Sequence, residues 1–457
     1  MSEELVARDA TPGGARARRF HHFATTTFSS LRVRNYRLYV TGQIISVSGT
    51  WMQNVALAWL VVRYLAPRSQ AGLDVGITTA LQFLPVLVLG AWGGLVVDRV
   101  DKQRLLFVTQ ASAGVLALVL GLLVSAGRGP AGAAHLWEVY LLALLLGVVN
   151  AFDNPARQSF VVEMVGHDDL PNAVSLNSIV MNGARVVGPA ISGVLIATVG
   201  LAICFEANAA SYLAVIAALA LMRRAELLRA ERVARAKGQL REGFAYAWRT
   251  PRLREPLLLV CVVGLLTYNF NVILPLFARL TFHGGAGTLA ALTALMAGGA
   301  VAGGLVVANR GSPNLHRLTL IGMAFGVFIA AVAFSPTLPS ALVLIVPMGA
   351  LSIAFIATAN STIQMRVDST MRGRVMALYA IGFLGTAPIG APLVGWISQV
   401  SSPRVALVVG ASATIVASAV IRVRHRNEHR RSAAERAVDA DEVPAAEVEP
   451  GSELGIA

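Results

Sequence analysis

Between residues 36 and 424 the chain alternates long apolar runs with short polar breaks. The runs are too long for strands and too uniformly apolar for the one-sided stripe of a soluble helix. A run of about 20 apolar residues crosses the roughly 30 Å hydrocarbon layer as a helix. The pattern predicts twelve such spans: 36–64, 74–97, 104–126, 136–162, 171–199 and 201–223, then 256–282, 286–309, 316–335, 340–366, 371–400 and 403–424. They fall into two groups of six, 36–223 and 256–424, separated by a polar central loop at 224–255. Residues 1–35 are polar and arginine-bearing with no apolar core, so no cleavable leader is expected. Residues 425–457 are first basic and then acidic, and are expected to form a disordered tail. Within the central loop Leu240, Phe244 and Trp248 recur at helical spacing, which predicts a short helix lying on the membrane surface.

Composition strengthens this all-α membrane reading. Of 457 residues 55% are hydrophobic and 14% charged, with mean hydropathy +0.64, whereas soluble domains carry about a quarter charged residues. The net charge of +13 is concentrated in alternate loops: Arg16, Arg18 and Arg19 before the first span, Arg99, Lys102 and Arg104 after the second, Arg241, Arg249 and Arg252 in the central loop, Arg372 and Arg374 after the tenth. Lys/Arg-rich short loops face the cytoplasm, so the even-numbered loops and both termini are expected there. The basic excess is thus a topology signal, and nucleic acid is not an expected partner. Cys204 and Cys261 lie in different apolar spans and offer neither a disulfide framework nor a metal site. The chain has no GxxxxGK[ST] phosphate loop, no His/Cys cluster and no nucleophile–base arrangement on a loop. No enzyme activity, cofactor or metal is expected.

The two groups of spans are related. GGLVV occurs at 93–97 and again at 303–307, AFDNPARQ (151–158) matches ATANSTIQ (357–364), and VGPAISG (187–193) matches IGAPLVG (389–395). The offset drifts from 210 to 206 to 202 residues, as shortening loops between fixed spans would produce. Three ordered matches on corresponding spans indicate a duplicated six-helix unit.

A six-plus-six parallel duplication with a long middle loop resembles the major facilitator superfamily. The loop after span 2 carries that superfamily's signature, Gly, three residues, Asp-Arg, then basic residues, in Gly94, Asp98, Arg99, Lys102 and Arg104; Asp101 stands where Gly is usual, and Gln103 replaces a basic residue. The Asp variant, with "FDNPARQSFVVEMV", resembles the enterobactin-exporter and macrolide-type efflux branch. "GARVVGPAISG", with Gly183, Gly188, Pro189 and Gly193, resembles the glycine-rich antiporter motif that accompanies export. Asp98, at a helix end, can accept from the backbone N–H groups of a facing helix N-terminus. The resemblance implies that this helix is span 11. With Arg99, Lys102 and Arg104 pairing to Glu163, the group would latch the two halves in an outward-open state. Ala308 replaces the Asp in the second GGLVV copy, so one latch of this type is expected.

Polar side chains inside the spans are the candidate chemistry, since a mid-membrane charge costs about 2.5–3.5 kcal/mol and needs a partner or a cavity. Gln43, Ser46, Thr50 and Asn54 fall on one face of span 1, flanked by Trp51 and Gln53. They either line a substrate cavity or bond helix to helix. Span 5 presents Ser175, Ser178, Asn182 and Arg185 at similar steps, with Arg185 about 20 Å in. Asp153 on span 4 either pairs locally with Arg157 or meets Arg185, and the latter pair is the favoured coupling site. In span 7, Asn269 and Asn271 precede Pro275, which permits a break lining a cavity.

The expected function is a monomeric secondary transporter exporting a small organic molecule, a siderophore or a lipophilic drug, by proton-coupled alternating access. An uptake permease or lysophospholipid flippase of the same fold, or a non-transporting membrane scaffold, are the alternatives. The bilayer, protons and the small-molecule substrate are the expected partners.

Overall fold

The computed structural model describes residues 29–126, 134–166, 168–228, 239–308, 314–368, 371–383 and 385–441. Among them twelve helical segments are long and apolar enough to cross a membrane, in the order expected. Spans 1 to 6 begin and end as Arg34–Leu65, Ala71–Gly90, Lys102–Ser125, Leu136–Val165, Leu170–Thr198 and Ala202–Ala220. Spans 7 to 12 are Pro251–Thr281, Ala286–Gly304, Leu315–Ala333, Leu338–Arg366, Arg372–Val400 and Pro403–Asn427. Loops rich in Lys and Arg mark one end of the bundle, called here the basic end; the opposite end is the far end.

The duplication is visible in backbone detail. Span 1 ends in a π-helical turn, Val61–Leu65, and span 7 in another, Phe277–Thr281. The first glycine of each GGLVV copy marks a helix crossing: a Cβ on Gly93 would strike the carbonyl oxygen of Ala151 on span 4, and one on Gly303 that of Ala350 on span 10. Lipid tails provide no hydrophobic drive between helices, so close backbone approach through small residues holds them together. The repeat is a packing device used once in each half.

Two spans are broken. Span 7 divides into Pro251–Leu266 and Phe270–Leu276, and span 11 into Arg372–Phe383 and Ala387–Val400. In span 7 the break precedes Pro275, and Asn269 spans it by donating from its side-chain amide to the Leu265 carbonyl at 2.8 Å.

The core is asymmetric along the bundle axis. Around the far end, buried residues of the first half (Met52, Val55, Val75, Val124, Phe205) join those of the second half in a single cluster. At the basic end the first half keeps a separate core of its own, built on Tyr36, Tyr39, Leu106, Phe160 and Val215. The halves meet through spans 2 and 11, 5 and 8, and 1 and 7.

The loop helix expected from Leu240, Phe244 and Trp248 forms at Gln239–Arg249. Phe244 and Trp248 are exposed and stacked, ring centroids 5.6 Å apart. The opposite face docks on the second half, where Glu242 pairs with Arg374 at 2.5 Å and the Tyr246 hydroxyl donates to Asp368 at 2.7 Å. That bond to a carboxylate holds the Tyr246 phenol above its ordinary pKa. The tail expected to be disordered from residue 425 is instead helical to Asp441, as one continuous helix with span 12. The stretch is rich in Ala, Glu and Arg and lacks Gly and Pro, so a helix already nucleated by span 12 propagates through it. Residues 442–457, like 1–28, lie outside the described residues.

Candidate functional site: a cavity between the two halves

A cavity of about 200 Å³ lies between the halves, walled by Trp51 and Asn54 from span 1, Thr79 and Phe83 from span 2, Arg185 from span 5, residues 268–271 from span 7, and Phe383 from span 11. The breaks in spans 7 and 11 bring Tyr268, Asn269 and Phe383 to its edge. Tyr268 and Phe383 meet edge-on at 4.8 Å between centroids. The walls are aromatic with a few amides and hydroxyls, the usual make-up of an organic-ligand site.

Arg185 is the one charged side chain lining it among the described residues. Its guanidinium lies 4.8 Å from the centre of the Trp51 ring, a cation–π contact. Its Nε is buried without a hydrogen-bond partner.

The expected Asp153–Arg185 pair does not form. Asp153 is 1% exposed and pairs with Arg157 one turn along the same helix, while accepting from Thr109 Oγ1 and Gln110 Nε2, each at 2.7 Å. Arg157 then donates to Gln43 Oε1 at 2.6 Å. The i, i+4 geometry places Arg157 within reach with no rearrangement, and span 3 supplies the remaining donors. The network ties spans 1, 3 and 4 inside the first half, and Arg185 faces the cavity instead.

The polar face of span 1 also divides. Gln43 belongs to the network just described. Gln53 accepts from Asn208 Nδ2 on span 6 at 2.7 Å, and Thr50 donates to the Ser46 carbonyl at 2.9 Å. These three bond helix to helix or within their own helix. Trp51 and Asn54 reach the cavity, as do Asn269 and Asn271. The Asn182 side chain lies outside the described residues.

The cross-half latch is not made in this structure. The Asp98 side chain is exposed and has no partner among the described residues, and Gly94 serves as acceptor for the Asp98 backbone N–H at 3.1 Å. Lys102 pairs with Glu163, joining spans 3 and 4, but Arg99 and Arg104 remain exposed. Span 11's basic-end segment packs on span 7, span 10 and the loop helix, all on its own side of the molecule. Asp101, unusual at its position, caps span 3 by accepting from the Arg104 backbone N–H at 2.9 Å. Gln103 is buried and donates to the Leu219 carbonyl at 2.6 Å, a site where a charged side chain would lie unpaired.

Of the antiporter-motif residues, Gly188 and Pro189 are buried within span 5. A Cβ on Gly188 would lie 2.6 Å from Trp51 Cβ, and one on Gly193 would strike Ala290 of span 8 across the halves. Gly183 faces open space. The far end closes through similar contacts: Gly72 against Gly395, Gly76 against Ala391 and Pro392, and the Leu73 backbone N–H donating to Gln399 Oε1 at 3.2 Å.

Sequence reasoning missed Phe83, Phe383 and a buried carboxylate, Asp74. Asp74 is 6% exposed beside this far-end contact; Tyr140 donates to its Oδ1 at 2.9 Å while Oδ2 has no partner. The signal was an acid at the start of an apolar run, which passes for an interfacial residue when the span is drawn from position 74.

Comparison with known proteins places this architecture. The family profile of the transmembrane secretion effectors matches residues 25–452. The staphyloferrin A transporter of Staphylococcus aureus is 27% identical over 176 residues, 38% of this chain and 42% of that protein. The multidrug efflux pump Tap of Mycolicibacterium fortuitum is 27% identical over 367 residues, 76% of this chain and 85% of the pump. The first curated relatives are thus matched over about half their length or less, 42% and 52%, and the pump over most of it. Among solved structures, a bacterial homologue of the lysosomal transporter Spinster, inward-facing and occupied, aligns with TM-score 0.64 at 16% identity, covering 86% of this chain and 97% of that one. It shows the same fold.

Proposed function

Since the chain belongs to the transmembrane secretion effector family of the major facilitator superfamily, we propose that it exports a small organic molecule across the bacterial cytoplasmic membrane by alternating access, driven by proton influx. The observation that carries this reading is the position of the cavity. It lies between two halves that are in backbone contact at the far end and unlatched at the basic end. With the basic end cytoplasmic by the Lys/Arg rule, cargo is taken up from the cytoplasm. Rocking the halves about the cavity, as in a duplicated transporter, would part the far-end glycines and bring Asp98 to the N-terminus of span 11. The latch residues then stabilise the outward-open state, and the structure described here is its partner.

The cargo class follows from the relatives, a siderophore or a lipophilic drug, and the working unit is a monomer. Asp74 is the carboxylate proposed to carry the proton: buried, half satisfied and adjacent to the far-end contact. Asp153, with all its bonds made inside one half, is assigned to holding that half together. Accumulation of a catecholate siderophore and a lipophilic dye in energised inside-out vesicles tests the proposal. Accumulation that collapses with an uncoupler, and that loses its dependence on the pH gradient in Asp74→Asn, supports it. Equal distribution of both compounds in energised and de-energised vesicles contradicts it.

A further inference from the structure

Arg185 is midway along the 29-residue helix Leu170–Thr198, at the depth where an unpaired charge is least tolerated. The described carboxylates of the first half that come nearest in sequence logic are committed elsewhere: Asp153 to Arg157, and Glu163 to Lys102. No Asp or Glu lines the cavity among the described residues. The guanidinium therefore faces a largely apolar chamber with one face on Trp51 and its Nε unbonded.

We infer that Arg185 is a specificity-determining cargo contact, and that the cavity takes a flat aromatic molecule bearing an oxyanion such as a carboxylate or sulfonate. This rests on the exporter reading above and narrows it. A guanidinium offers paired N–H donors in a fixed fork that matches such an anion two bonds at a time. Aromatic rings of the cargo would stack against Trp51, Phe83 and Tyr268, while Asn54 and Asn271 supply amide bonds. A cavity of about 200 Å³, small for an organic-ligand site, suits one or two fused rings. A cation would meet like charge with no counter-ion and is excluded. Moving a monoanion outward also moves charge: at 100 mV, negative inside, the potential alone sustains about a fifty-fold gradient.

The test uses purified full-length protein and three probes on one naphthalene ring system: 1-naphthalenesulfonate, the near-isosteric neutral 1-naphthalenesulfonamide, and the cationic 1-naphthylmethyl-trimethylammonium. Binding is measured calorimetrically for wild type, Arg185→Lys and Arg185→Gln, each checked for monodispersity. The anion is expected to bind at least tenfold more tightly than the other two. Arg185→Gln removes that preference, Arg185→Lys retains part of it, and the neutral probe's affinity shifts less than threefold throughout. Equal affinity for all three probes in wild type, anion affinity unchanged in Arg185→Gln, or no binding of the anion overturns the inference. Flux of the same probes into liposomes under a valinomycin-set potassium potential separates the two readings. Arg185-dependent binding of the anion without flux sinks the exporter and leaves the site. Flux of the neutral or cationic probe, indifferent to Arg185, sinks the anion site and leaves the exporter.

Discussion

The two ends of the bundle use small and charged residues in opposite ways. At the far end, Gly72 and Gly395 from opposite halves meet backbone to backbone, Gly193 meets the Ala290 methyl group, and the apolar core runs through from one half to the other. At the basic end, Gly373 faces open space, as Gly183 does midway along span 5, and the described ion pairs stay within a half: Lys102–Glu163 in the first, Glu242–Arg374 in the second. Contacts between small apolar surfaces form and part without desolvating a charge, which suits a seal that must open. Ion pairs confined to one half stiffen that half without resisting motion between halves. Asp98, exposed and without a partner among the described residues, is free to join the halves at the basic end.

The largest effect should come from filling the far-end seal. Gly193→Leu places a side chain on Ala290, and overpacking of about 1–3 kcal/mol shifts the balance of states by roughly 5- to 150-fold. Spin-label distances between positions 70 and 401 should lengthen, and those between 100 and 373 should shorten, in a background lacking Cys204 and Cys261. Next in size is Glu163→Gln, which leaves Lys102 unpaired where both side chains are 12% exposed. A loss of about 1–3 kcal/mol, between the surface and buried cases, should lower the melting temperature while the label distances hold. Asp98→Asn removes an exposed carboxylate, so stability of the present state should change by less than about 0.5 kcal/mol. Export should nevertheless fall several-fold, because the other state loses its latch. The smallest effect is expected of Gly183→Ala, where nothing lies within 4 Å. Helix propensity favours Ala by up to about 1 kcal/mol, and transport should match wild type. A Gly183→Ala as damaging as Gly193→Leu would erase the distinction between the far-end seal and the open stretch of span 5.

The spans, their duplication and the loop helix were legible in the sequence because hydropathy and period are local properties. The partners of polar side chains were less so. The bond from Asp153 to Arg157 was available from i, i+4 spacing alone, but choosing it over Arg185 needs the rotation of span 5, which turns Arg185 to Trp51. Span 1 shows the same limit: its row of polar residues reads as one face, yet Gln43 and Gln53 are taken by neighbouring helices and Asn54 is not. The latch was read from a motif whose cross-half contacts are not made in this arrangement of the halves; they are proposed to form in the other. The tail helix was missed because low hydrophobicity suggested disorder, whereas an adjoining helix removes the cost of nucleation.

The central claim, that cargo leaves only when the far-end seal parts, is tested most directly by locking that seal. Leu73→Cys and Gln399→Cys, at positions joined by a 3.2 Å hydrogen bond, would be bridged with a short bis-thiosulfonate linker in inside-out vesicles. Cargo accumulation should stop on linking and return when the linker is reduced, while Arg185-dependent binding persists throughout. Accumulation that continues at full rate with the seal locked would contradict alternating access through this cavity.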